Sequence, residues 1–108
     1  MITLDVNSDG QGRITGYKVS GHAGYAEAGE DIVCSAVSAL TQAPLIGLTE
    51  HLQLKPFSRI DQEKGILEVA LNSAPDDLTQ AILMTMLYGV RSIAKQCPEY
   101  VRIQEHRR

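Results

Sequence analysis

A chain of 108 residues, 44% of them hydrophobic, is sized for one domain over 1–108 that buries a single core. Its net charge of -3 excludes a strongly basic surface, so no direct contact with nucleic acid is expected. Two cysteines, Cys34 and Cys97, make no disulfide framework, and no four ligands are spaced for zinc; no metal or cofactor is expected, and a reduced, cytoplasmic chain is the simplest reading.

Ile2, Leu4 and Val6 alternate with Thr3 and Asp5, which predicts a first strand with one buried face. The same segment lacks the basic-then-apolar order of a signal peptide. Asn7 to Gly12 has the composition of a hairpin turn, and Arg13 to Ser20, with Ile14, Tyr17 and Val19, reads as the second strand. A helix follows from about Ile32 to His51, apolar around most of its circumference and therefore largely buried, with a kink or break expected at Pro44. No stretch approaches the roughly 20 apolar residues needed to cross a bilayer, so no membrane partner is expected.

Leu52 to Ile60 and Gly65 to Leu71 are predicted to form a second hairpin, with Pro56 at an edge or a bulge. Ser73 to Asp77 opens a second helix with its acids at the positive end of the dipole. Leu78, Ile82, Leu83, Met86, Val90 and Ile93 make its apolar stripe, and Gly89 lets another backbone approach. Tyr100 to Ile103 is a last strand. The order ββαββαβ predicts an α+β domain, two helices packed on a mainly antiparallel sheet. Two apolar helices on so small a domain leave a face to cover, which suggests a homodimer.

The stretch between the first hairpin and the first helix carries the chemistry. Gly21, Gly24 and Gly29 fall within nine residues and let the chain bend close to a ligand, and His22 sits among them. Asp31 is the expected N-cap, which places Cys34 at N3, where the unpaired amides and the helix dipole favour a thiolate. The dipole is worth about 0.3–1 kcal/mol against about 1.36 kcal/mol per pKa unit, so a neighbouring cation must supply the rest, and His22 is the candidate. Cys34, Ser38 and Thr41 follow at i, i+4 and i+7, flanked by Ser35 and Gln42, on the polar edge of the helix.

These residues carry a resemblance. Gly21-His22-Ala23-Gly24-Tyr25-Ala26, then Gly29-Glu30-Asp31-Ile32-Val33-Cys34 and Ala36-Val37-Ser38-Ala39-Leu40, is similar to the signature of the bacterial ribosomal-processing cysteine protease family, Prp. The resemblance implies that Cys34 and His22 are the catalytic pair. It implies as substrate the twenty-seventh protein of the large ribosomal subunit, from which the family removes a short N-terminal extension. It also points to a homodimer.

Other roles stay open at this stage. Asp31 either caps the helix or also orients His22. Ser38 either donates to the sulfur or a reacting carbonyl or is a plain polar-face residue. Gly21, Gly24 and Tyr25 are candidates for contact with substrate, although Tyr25 would equally anchor its loop to the core. Cys97 reads as structural filling, His51 and His106 as surface residues, and His106-Arg107-Arg108 as a solvated end. Two rival functions remain: a non-catalytic, ribosome-associated peptide-binding or assembly domain, and a redox protein pairing Cys34 with Cys97.

Overall fold

The computed structural model describes the backbone of residues 1–21 and 30–107 and the side chains of 1–21 and 32–107. Five strands and two helices follow in the expected order: β1 (Ile2–Ser8), β2 (Ile14–Ser20), α1 (Glu30–Ile46), β3 (Phe57–Asp61), β4 (Ile66–Ala70), α2 (Asp77–Gln96) and β5 (Val101–Arg107). The sheet order is β3-β4-β2-β1-β5, antiparallel throughout except that β5 lies parallel to β1. It is an α+β fold with both helices packed on the sheet.

Alternation explains β1. Ile2, Leu4 and Val6 are fully buried, and Thr3 and Asp5 face the opposite side. In β2 the inward residues are Ile14, Tyr17 and Val19, a spacing that strict alternation does not produce. The pairing supplies the reason: Asn7 faces Gly16 while Ser8 faces Ile14, so Thr15 is an extra, bulged residue that resets the inward face. The hairpin turn before it is held by Asp9, whose carboxylate accepts from the N–H groups of Gln11 and Arg13 at 2.9 and 3.0 Å. Chiefly the Arg13 amide keeps that carboxyl below its ordinary pKa.

The open face of the sheet carries a charge row set by register. Arg59 pairs with Glu68, Glu68 with Lys18 and Lys18 with Asp5, and the Asp5 carboxylate accepts from His106 Nε2 at 2.9 Å. His106 is therefore not part of a solvated tail: β5 runs to Arg107, four residues beyond the expected end of the last strand. Parallel pairing with β1 along its whole length carries it that far.

Other expectations need correction. The helix does not break at Pro44. α1 continues to Ile46 and passes into a π-helical turn, Gly47–His51, in which the Leu52 N–H donates to the Gly47 carbonyl. Leu52 to Pro56 is not strand, because the Leu54 N–H turns back to the Leu48 carbonyl and Gln53 adopts a left-handed φ of 55°. β3 starts only after Pro56, at the sheet edge. Ile32–His51 is in fact 20 residues long and apolar enough to cross a bilayer, against expectation; its buried residues Val33, Val37 and Leu48 belong to the core shared with α2 and the sheet.

In α2 the buried stripe is Thr79, Leu83, Met86, Leu87 and Val90, while Leu78 is 62% exposed. The stripe is rotated because Thr79, not Leu78, is drawn inward by a capping box. The Thr79 N–H donates to the Asp76 carboxylate at 2.8 Å, and the Asp76 N–H to the Thr79 hydroxyl at 3.0 Å. At Gly89 it is the Leu40 side chain that comes close, 3.2 Å from where a Cβ would stand, rather than a backbone. Replacing Asp76 with Ala should cost about 1 kcal/mol of unfolding free energy through loss of the cap, read from urea titration of the two proteins.

Candidate active site

α1 carries the sulfur. Its first residue is Glu30, so Asp31 stands inside the first turn rather than at the cap, and Cys34 lies about one turn in rather than at N3. The Asp31 side chain, His22, Gly24 and Tyr25 lie outside the described residues. Cys34 is partly buried and packs against the core, and it lines an open depression together with Ser35, Ser38, Ala39 and Gln42. Ser38 follows one turn on, its hydroxyl accepting from the Gln42 amide at 2.6 Å. The polar edge expected from helical spacing therefore exists over Cys34, Ser35, Ser38 and Gln42.

Thr41 does not share that exposure. It is 1% exposed, its hydroxyl donates to the Val37 carbonyl at 2.8 Å, and its own carbonyl accepts from the Tyr17 hydroxyl at 2.5 Å. The helix turns this residue under the sheet where β2 reaches toward it. Burial holds the Tyr17 phenol well above its ordinary pKa, so it remains a protonated donor.

Ser38 and Gln42 also line a second cleft, of about 140 Å³, between α1 and the β3–β4 hairpin. Its far wall is Ile60, Asp61 and Gln62. It exists because α1 covers β4 and stops short of β3, leaving Ile60 63% exposed although it pairs with the buried Leu67. Helix rise places Ser38 about 6 Å and Gln42 about 12 Å from Cys34 along the axis, a run of roughly four extended residues. A peptide laid along α1 from Cys34 would reach this cleft. Asp61 and Gln62 read in the sequence only as turn residues, because nothing local shows that their turn faces α1.

Cys97 stands apart at the C-cap of α2. Its N–H donates to the Ile93 carbonyl, and its carbonyl accepts from Tyr100 and Val101. Both cysteines are thiols, not a disulfide. Among the described residues no group of His, Cys, Asp and Glu is placed to hold a metal ion.

Residues 1–102 match the family described as cysteine protease Prp. The chain belongs to that family. A ribosomal processing cysteine protease Prp from Staphylococcus aureus (strain Mu50 / ATCC 700699) is 32% identical over 106 residues, which cover 95% of this chain and 97% of the relative. The crystal structure of an essential ribosomal processing protease Prp from S. aureus in complex with a substrate peptide superposes with a TM-score of 0.91 at 28% identity, covering 97% of this chain and 99% of that one. The same protease in complex with a covalently linked product peptide gives 0.86 at 28% identity, with the same coverage. Like other Prp proteins this chain is a cysteine protease.

Gly21 is the one candidate of the glycine loop that the structure describes. It closes β2 with φ +92°, and a Cβ there would stand 2.3 Å from the Met1 carbonyl oxygen. Backbone geometry thus requires glycine at this position whatever its part in binding. Gly21→Ala should lose about 1–3 kcal/mol from backbone strain, and more from the clash, seen as a lower urea midpoint without any substrate present.

Proposed function

We propose that this chain is an endopeptidase that removes the N-terminal extension of a large-subunit ribosomal protein, the twenty-seventh, during ribosome maturation, through a Cys34–His22 dyad. The observation that carries the reading is the placement of Cys34 in an open depression on the polar edge of α1, in a chain that belongs to a cysteine protease family. The names of its relatives support the substrate: the S. aureus protein is a ribosomal processing protease, solved with a substrate peptide and with a covalently linked product peptide.

The chemistry follows from the groups named. The Cys34 thiolate attacks the scissile carbonyl carbon, forming a C–S bond. Collapse of the tetrahedral adduct breaks the C–N bond, and His22 delivers its proton to the leaving amine. Neutral His22 then takes a proton from water as the water attacks the thioester; the C–S bond breaks and the carboxylate product leaves. The peptide lies along α1 over Ser38 toward the cleft at Asp61, and Gly21, Gly24 and Tyr25 are assigned to contact with it. Asp31 is the candidate for orienting His22, its other reading being a role at the helix start alone.

The same reading places the protein in the cytoplasm, as a homodimer and without nucleic acid or membrane as a direct partner. The dimer surface is the outer side of the helix layer. There an apolar groove between α1 and α2, lined by Leu40, Ala43, Gly47, Ala81 and Ile82, lies open on the face that the sheet does not cover.

Incubation of the purified protein with the precursor should shorten it by its extension, as read by intact mass. Cys34→Ala and His22→Ala should each lower kcat by at least about a thousandfold while unfolding within a few degrees of the parent; turnover retained in either variant would sink the dyad. Sedimentation should give twice the monomer mass, and Ile82→Glu should return it to the monomer.

A further inference from the structure

α1 is built with a weak point toward its C-terminal end. Pro44 has no N–H to give to the Leu40 carbonyl, yet the helix runs through it. One turn earlier the Thr41 hydroxyl donates back to the carbonyls of Val37 and Ser38, at 2.8 and 3.2 Å, an arrangement that bends helices. Three residues after Pro44 the helix changes to π geometry. Cys34 rides on the part that precedes all three. Val33 and Val37 anchor the Cys34 side in the core and Leu48 the other side, so a change of bend between residues 40 and 44 would shift the Cys34 side relative to β2 rather than free it.

One buried polar contact crosses from the sheet to this weak point. The Tyr17 hydroxyl on β2 donates to the Thr41 carbonyl at 2.5 Å, with both residues 1% exposed. The contact is prepared by the bulge at Thr15, which turns Tyr17 inward. In an α-helix the Thr41 carbonyl already has the Leu45 N–H as donor, so the phenol is an additional bond whose effect is to hold the helix in place.

We propose that Tyr17 is a positioning residue for the cleavage reaction: its hydroxyl pins α1 to β2 at Thr41, one turn before Pro44, and so fixes the line on which Cys34 is presented. β2 is also the strand that leads into Gly21 and then His22, so one bond ties the helix bearing the sulfur to the strand leading to its partner. The inference rests on the Cys34–His22 reading.

The test compares the full-length parent with Y17F, P44A, Y17F/P44A and H22A. Three quantities are read: melting temperature, the rate of Cys34 alkylation by iodoacetamide from pH 5 to 9 by peptide mass, and kcat and KM on the ribosomal-protein precursor. Y17F should fold and lose roughly ten- to a hundredfold in kcat with KM little changed, as for a small misplacement of a reacting group. Its alkylation profile should move toward that of an ordinary thiol near 8.5. Restoring the helix N–H in Y17F/P44A should recover most of both.

A Tyr17 that only fills the core would lower the melting temperature and nothing else. Unchanged kcat and alkylation profile in folded Y17F overturn the proposal, as does a double variant no better than Y17F. If Y17F does not fold, the double variant decides: near-parental Cys34 reactivity supports the pin, and failure to fold overturns it. H22A separates the two readings. Full cleavage by H22A removes the dyad whatever Y17F does, whereas loss in H22A with normal Y17F removes only the pin.

Discussion

The rest of the structure depends on the burial of β1 between two neighbours. Ile2, Leu4 and Val6 have no exposure, and the strand bonds to β2 on one side and to the edge strand β5 on the other, so the first strand of the chain and the last lie side by side. Leu4 and its neighbours form the floor on which α1 and α2 rest. Burying a side chain of that size contributes about 1.5–3 kcal/mol. β2 is placed by the same strand. Its last residue delivers Gly21 against the Met1 carbonyl, so the departure point of the histidine loop is set by the N-terminal strand rather than by the loop's own sequence.

Strand and helix identity were legible because periodicity is a local property. The alternation of Ile2, Leu4 and Val6 and of Leu67 and Val69 needs no knowledge of what lies opposite, and Asp76-Asp77 announces a helix start by its chemistry alone. What stayed hidden is pairing. The bulge at Thr15 exists only relative to β1, and the inward turn of Tyr17 follows from it. The extension of the last strand through His106 depends on the parallel partner that β1 offers. Leu52 to Pro56 looked extended because it is apolar and carries proline, yet its backbone bonds close the π-turn of the preceding helix.

The site divides along the same line. Cys34, Ser38 and Gln42 could be placed on one helix edge from spacing, and they share one depression in the fold. Thr41 obeys the same spacing and is buried, because a helix edge that is polar in sequence can pass beneath a strand. Asp61 and Gln62, some twenty residues farther along the chain, become walls of the adjoining cleft only through the register that sets β3 at the sheet edge beyond the reach of α1. The sequence shows which residues can do chemistry; the sheet order decides which of them border one groove.

α1 meets demands that pull against each other, and this explains its irregularity. Its inner face must supply Val33, Val37 and Leu48 to the core, and its outer face lines an apolar groove with α2, which together make the segment apolar enough to cross a bilayer. One edge must nevertheless stay polar and open for Cys34, Ser38 and Gln42. After α1 the π-turn closes with the Leu52 N–H on the Gly47 carbonyl and the Leu54 N–H on the Leu48 carbonyl, and the chain then enters β3, whose end walls the cleft beside Gln42. Proline and the π-turn weaken the helix in this segment. Core packing of Val33 and Val37 holds the inner face of such a helix, and the bond from Tyr17 to Thr41 adds a directed tie just before Pro44. Shape, opening and rigidity in α1 are thus supplied by different residues: Gly47–His51 the end of the helix, Ser38 and Gln42 the opening, and a tyrosine from the neighbouring strand the stiffness.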